Sequence, residues 1–229
     1  MTVMEIRYTT FTEKGIRTYN QDVFEAILTP KQDKALFVVC DGMGGHAMGD
    51  VAAETVCNAI ASYWQNNGTE ADGKTKVLAA CHAASSAMDK RADRLNRVEM
   101  GTTLVLASIE RNKVTVAHCG DSRCYLLREN EVVYQTEDHT GFSFGWEVVT
   151  RCFFSYRPEL VQPDIRQFEL RSGDRIFLCS DGVYKAMAPE ILTTRLMDDR
   201  PLEGVVDVIK FLCERNPNDN YTGILVQID

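Results

Sequence analysis

The sequence predicts an α+β fold with mainly antiparallel sheet, for three reasons. Short strand-like segments follow one another with connections of only a few residues, which favours antiparallel neighbours. Two amphipathic helical stretches come as a pair instead of alternating with single strands. No compositional shift, internal repeat or low-complexity run divides the chain.

The elements can be justified in order. Residues 6–11 alternate and predict a strand, and the polar turn 13–22 leads to a second at 23–28. Leu36-Phe37-Val38-Val39-Cys40 is short, apolar and partly β-branched, the pattern of a buried strand. Asp41 closes it, and Gly42, Gly44 and Gly45 break it. A helix is expected over about 49–64, with Val51, Ala52, Val56, Ala59, Ile60, Tyr63 and Trp64 at helical spacing. A second is expected over about 74–95, and the arginines near its end read as a solvated face. Four strands at 103–109, 114–119, 122–127 and 132–135 are expected to be antiparallel neighbours. Residues 137–163 are irregular and aromatic, which fits a lid or partner surface and a packed helix-loop equally. Strands at 166–170 and 175–179, helices at 189–197 and 201–215, and a last strand at 222–228 complete the chain.

Composition narrows the function classes. The 229 residues are 45% hydrophobic, enough for a substantial core. The net charge of -8, with no basic stripe, argues against a nucleic-acid partner. The eight cysteines form no Cys-x-x-Cys pair and mostly sit in apolar runs, so they read as reduced core thiols. There is no signal-like start, and the apolar runs are too short to span a membrane. A cytoplasmic protein without a membrane partner is expected.

Carboxylates recur at strand ends. Asp41 and Asp181 each end an apolar run on Asp-Gly, and Asp121 ends one on Gly-Asp. Asp22 and Asp219 lie just before strands. Taken singly, each fits a turn residue that caps its own loop. Taken together, they fit a site for hard divalent ions such as Mg²⁺ or Mn²⁺, which prefer oxygen ligands. No His/Cys spacing of the zinc type is present.

Seven segments, in order, then match a known pattern. They are Arg17-Thr18-Tyr19-Asn20-Gln21-Asp22, Asp41-Gly42-Met43-Gly44-Gly45-His46, Gly101-Thr102-Thr103, Gly120-Asp121-Ser122-Arg123-Cys124-Tyr125, Thr136-Glu137-Asp138-His139-Thr140, Ser180-Asp181-Gly182 and Asp219-Asn220-Tyr221-Thr222. The chain thereby resembles the metal-dependent type 2C (PPM family) protein serine/threonine phosphatases, particularly the bacterial form. The resemblance implies a four-layer α-β-β-α sandwich with two central antiparallel sheets. It also implies one catalytic domain over 1–229, with a shortened flap at about 140–162.

The same resemblance implies Mn²⁺ or Mg²⁺, two ions and a weaker third. Asp41, Asp181 and Asp219 would hold the first ion. Asp41 would bridge to the second, with the Gly42 carbonyl and Asp22. Asp121 with Asp181 would hold the third, and Arg17 would grip the substrate phosphate. The partners implied are phosphorylated protein substrates and a cognate Ser/Thr kinase, and nothing forces an oligomer.

Three departures from the family pattern stand out. Met43 occupies the place of a histidine that animal members carry as proton donor, which leaves that role to His46. Gln21 stands where animal members carry a metal-ligating glutamate, although glutamine is frequent in bacterial forms. The flap is contracted and aromatic, which bears on specificity more than on catalysis. A non-catalytic module that binds phosphoproteins, and a two-metal phosphodiesterase, are the alternatives to an active phosphatase. His82 and His118 are given no role.

Overall fold

The computed structural model describes residues 4–31, 33–43, 48–66 and 72–229. In chain order the elements are β1 (Ile6–Glu13), β2 (Asp22–Leu28), β3 (Lys34–Asp41), α1 (Gly49–Asn66), α2 (Gly73–Arg94), β4 (Gly101–Thr102), β5 (Leu104–Glu110), β6 (Lys113–Cys119), β7 (Arg123–Arg128) and β8 (Glu131–Gln135). They continue with β9 (Thr140–Ser143), β10 (Trp146–Val149), β11 (Phe153–Phe154), β12 (Asp164–Glu169), β13 (Arg175–Cys179), α3 (Asp181–Tyr184), α4 (Pro189–Leu196), α5 (Leu202–Arg215) and β14 (Tyr221–Ile228).

Two five-stranded antiparallel sheets form the centre, in the orders β1-β14-β13-β7-β8 and β12-β6-β5-β3-β2. The central strands β3, β5, β6, β13 and β14 are buried along nearly their whole length, because each sheet is covered on both faces. On β3, Ala35, Phe37 and Val39 point into the cluster between the sheets, while Leu36, Val38 and Cys40 point to α1 and α2. That is the period of two expected of a strand. On the far side, α5 lays Leu202, Val205, Val206, Ile209 and Cys213 against β1 and β14 in a third cluster. Each such side chain contributes about 1.5–3 kcal/mol when fully buried. The layers are therefore helix pair, sheet, sheet, helix pair, as expected.

The α1/α2 pair is anchored by polar contacts. Asp72 caps α2, its carboxylate accepting from the Lys74 and Thr75 N–H groups at 2.9 and 3.2 Å. Trp64 Nε1 of α1 donates to Ser108 Oγ of β5 at 2.9 Å. All eight cysteines are free and buried, matching the expectation of core thiols. No helix among the described residues is long and apolar enough to cross a membrane.

Two expectations are corrected. β6 and β7 are not neighbours: the chain leaves one sheet at Cys119 and enters the other at Arg123. Gly120, with φ of 127°, makes that turn, and a Cβ there would press on Thr103. A short connection thus joins two sheets instead of closing a hairpin. Residues 137–163 hold three short strands and a single 3-10 turn, Pro158–Leu160, within irregular chain, in place of a packed helix-loop. β9 and β10 form a hairpin with Phe142 84% and Trp146 77% exposed, and β11 pairs with β4, where Phe153 is fully buried. Phe142, Phe144 and Trp146 are exposed, Phe153 is buried, and Phe154 and Tyr156 are half-buried, which composition alone does not separate.

One buried ion pair ties the rim of a sheet. Asp174 is fully buried, accepts from Arg128 Nε and Nη2 at 2.7 Å each, and accepts from the Arg171 N–H at 2.8 Å. Truncation as Asp174→Ala leaves the guanidinium of Arg128 without its partner. A loss of about 2–4 kcal/mol is expected. The check is urea unfolding, with a lower midpoint at unchanged slope.

Candidate metal centre

The carboxylates meet where the two sheets face one another at one end. Asp22 and Asp41 are directly opposed at the ends of β2 and β3. Like charges in that register destabilise a sheet unless a cation intervenes. From the other sheet come Asp181, at the start of α3 after β13, and Asp219, just before β14. Asp121 joins them from the crossing between β6 and β7.

Backbone contacts fix the Asp41 turn. Its N–H donates to Thr103 Oγ1 at 3.1 Å, and its carbonyl accepts from the Thr103 N–H at 2.9 Å and Thr102 Oγ1 at 2.8 Å. Gly42 donates its N–H to the Gln21 carbonyl at 3.1 Å. A Cβ at Gly42 would collide with the backbone carbonyls of Gly49 and Gln21, so only glycine fits this approach.

Electrostatics set these acids apart. Asp22 is 6% exposed; its Oδ2 accepts from Ser180 Oγ at 2.7 Å, and its Oδ1 has no partner. Burial, then the charges of Asp181 and Asp219, push its carboxyl up to about 7. Asp41 is raised well above the carboxylate range, first by burial and then by Asp22, Asp181, Asp121 and Asp219. Asp121 is raised to about 6, mainly by burial and Asp181. Asp181 Oδ1 is also buried without a partner. Two orphaned carboxylate oxygens in one acidic cluster fit hard divalent cations, because these acids can offer only oxygen lone pairs.

Two cations flank the cluster. Arg17 Nη2 donates to Asp219 Oδ2 at 2.6 Å, and Lys185 Nζ donates to Asp181 Oδ2 at 2.7 Å. The structure thus brings together Arg17, Asp22, Asp41, Gly42, Asp121, Asp181 and Asp219 around one end of the sheet pair. His46 lies outside the described residues.

Sequence reasoning missed the residues that hold the acids. Ser180 Oγ accepts from the Thr222 N–H at 3.0 Å while donating to Asp22, which stitches β13, β14 and β2 together. Asn220 Nδ2 donates to the carbonyls of Lys14 and Tyr19 at 2.8 and 2.9 Å, and its Oδ1 accepts from the Gln21 N–H at 2.9 Å. It pins the loop that carries Arg17. Their position beside Asp181 and Asp219 was the available signal. Arg123 and Asp138, from two separate motifs, form a forked pair at 2.9 and 2.8 Å that locks the sheet crossing.

A second cluster, His118, His139 and Asp164, has ligand-type atoms within 4.8 Å of one another. Its cation is already present: Arg151 Nη1 lies 3.3 Å from both His139 Nε2 and Asp164 Oδ1. His118 stacks on His139 at 4.2 Å, and its Nε2 lies 2.7 Å from the Glu137 carbonyl. It is a packing network under the hairpin.

Comparison with known proteins places the whole chain. Residues 16–220 match the family model described as Protein phosphatase 2C. The chain belongs to the protein phosphatase 2C family. It is 28% identical over 241 residues to the serine/threonine protein phosphatase PstP of Mycobacterium tuberculosis, covering 97% of this chain and 45% of that protein. The chain thus spans about half the length of that curated relative. The serine/threonine phosphatase stp of Listeria welshimeri is also 28% identical, with 94% of this chain and 93% of that protein covered.

Among solved structures, the M. tuberculosis phosphatase PstP/Ppp superposes with a TM-score of 0.84 at 29% identity, covering 97% of this chain and 98% of that one. The catalytic domain of PstP in complex with two manganese ions gives 0.82 at 28% identity, covering 98% and 99%. As expected, the four-layer sandwich is the fold of these relatives.

The raised carboxyls make the metal-free protein sensitive to pH. A folded-state pKa above the unfolded value near 4 means that the folded state binds the extra proton. That stability is complete below about pH 4 and is lost as pH rises through the folded pKa values of about 6 and about 7. In chelator, the melting temperature should fall from about pH 5 to about pH 8. Added Mn²⁺ should remove most of that slope. Scanning fluorimetry with and without the ion checks both.

Proposed function

We propose that this chain hydrolyses phosphoserine and phosphothreonine in proteins, using divalent Mn²⁺ or Mg²⁺ at the acid cluster. The observation that carries this reading is the meeting of Asp22, Asp41, Asp121, Asp181 and Asp219, with orphaned oxygens on Asp22 and Asp181. Asp41, Asp181 and Asp219 are proposed for one ion, and Asp41, the Gly42 carbonyl and Asp22 for the other. Bound ions would supply an acidified water and offset charge on the phosphoryl oxygens.

The chain's own groups do the rest. The carboxylates hold the charge balance of the centre, and burial keeps them in place. Arg17 is half exposed at the rim and presents a planar fork suited to a phosphate. Ion binding by Asp219 would compete with its present pairing to Arg17 and free that fork for substrate. No thiol is available for a covalent phosphoenzyme, because every cysteine is buried. His46 is proposed as proton donor to the leaving oxygen. The partners proposed are phosphorylated proteins and the Ser/Thr kinase that modifies them.

The full set of acids speaks against a non-catalytic binding module, in which such costly buried charges would serve nothing. The family speaks against a phosphodiesterase.

The test is hydrolysis of a phosphothreonine peptide and an aryl phosphate with Mn²⁺. Asp181→Asn should lower kcat by about 10³ or more while the fold persists. Arg17→Lys should raise KM roughly tenfold with a smaller change in kcat, since the bidentate grip is lost. Turnover on neither substrate, in well-folded and metal-loaded protein, would sink the proposal.

A further inference from the structure

Lys185 is the unexpected group at the centre. It directly follows α3, and its N–H donates to the Asp181 carbonyl at 2.9 Å. Its side chain turns back over the same residue: Nζ lies 2.7 Å from Asp181 Oδ2 and 3.6 Å from Asp121 Oδ2. One ammonium thus sits between the two acids that the family pattern would give to a third metal ion.

The two oxygens of Asp181 are divided accordingly. Oδ2 is taken by Lys185, and Oδ1 is the buried atom without a partner. The first faces Asp121 through the ammonium, and the second remains free for an ion shared with Asp41 and Asp219. A divalent ion between Asp121 and Asp181 would have to share their oxygens with a fixed positive charge a few ångströms away. Repulsion between cations at that range is strong in a partly buried site. Lysine suits the role, being a compact point charge on a flexible stem with three donors.

We infer that Lys185 takes the place of the third cation, so that this centre is completed by two divalent ions and one ammonium. The inference rests on the two-ion reading above. Lys185 also gives Asp121 a role that needs no ion: its charge is balanced, and the sheet crossing at Gly120 is held to α3. The centre then loads fully without recruiting a weak third ion, and its occupancy depends less on free metal concentration.

The test counts ions. Crystals of the whole chain soaked in Mn²⁺ are measured for anomalous scattering, and equilibrated protein is assayed for bound manganese across a rising concentration series. Wild type should show peaks only around Asp41, and should saturate at two ions. Lys185→Ala should gain a further, weaker ion between Asp121 and Asp181, and the double variant with Asp121→Asn should lose it again. Lys185→Met, which keeps an unbranched stem of similar length without the charge, serves if the alanine variant does not fold.

A peak between Asp121 and Asp181 in wild type, with the lysine swung aside, would overturn the inference. So would Lys185 variants that bind no more manganese than wild type. Absence of any ion at Asp41 would instead overturn the two-ion reading, which the same maps distinguish.

Discussion

Mutual repulsion among five buried or half-buried carboxylates is the constraint on which this molecule turns. No sheet would place Asp22 opposite Asp41 for stability alone. The cost is tolerated because the rest of the fold over-determines the positions. Thr102 and Thr103 fix the Asp41 turn, Ser180 ties Asp22 across the gap, and Asn220 fastens the loop of Arg17. The apolar clusters between and outside the sheets supply the free energy that offsets the strain.

The two flanking cations complete this balance in different ways. Arg17 stands at the rim with half its surface in solvent, paired to Asp219 by contacts that another ligand can replace. Lys185 is held by backbone and side chain to one short helix, and by two acids. The first is placed to let go and the second to stay. On the proposed reading, phosphate recognition and metal-site integrity would be separated between two residues of the same charge.

Much of this was legible in the sequence because the acids end apolar strands. A buried strand that stops on Asp-Gly announces both its own limit and a carboxylate at the edge of the core, as at Asp41 and Asp181. Helix positions were likewise legible from periodicity, and α1 and α5 bury the faces that spacing predicts. Partnership at long range was not. Nothing local in Gly120-Asp121-Ser122 says that the chain changes sheets there, since a hairpin and a crossing use the same turn residues. The hairpin of Phe142 and Trp146 was hidden because aromatic content does not distinguish a core from a displayed edge. Ser180, Asn220 and Lys185 looked like ordinary neighbours of motif acids, and their importance lies in contacts made across the fold.

The sealed cysteines carry a further consequence. Burial lifts the Cys81 and Cys119 thiols to about 12, and Cys40, immediately before Asp41, stands well above its ordinary value. Oxidants act on exposed thiolates, and this chain offers none. The proposed chemistry, carried by oxygen ligands, would therefore be indifferent to peroxide at the level of its nucleophile. If the proposed activity holds, peroxide that silences enzymes dependent on a reactive cysteine would leave it in place.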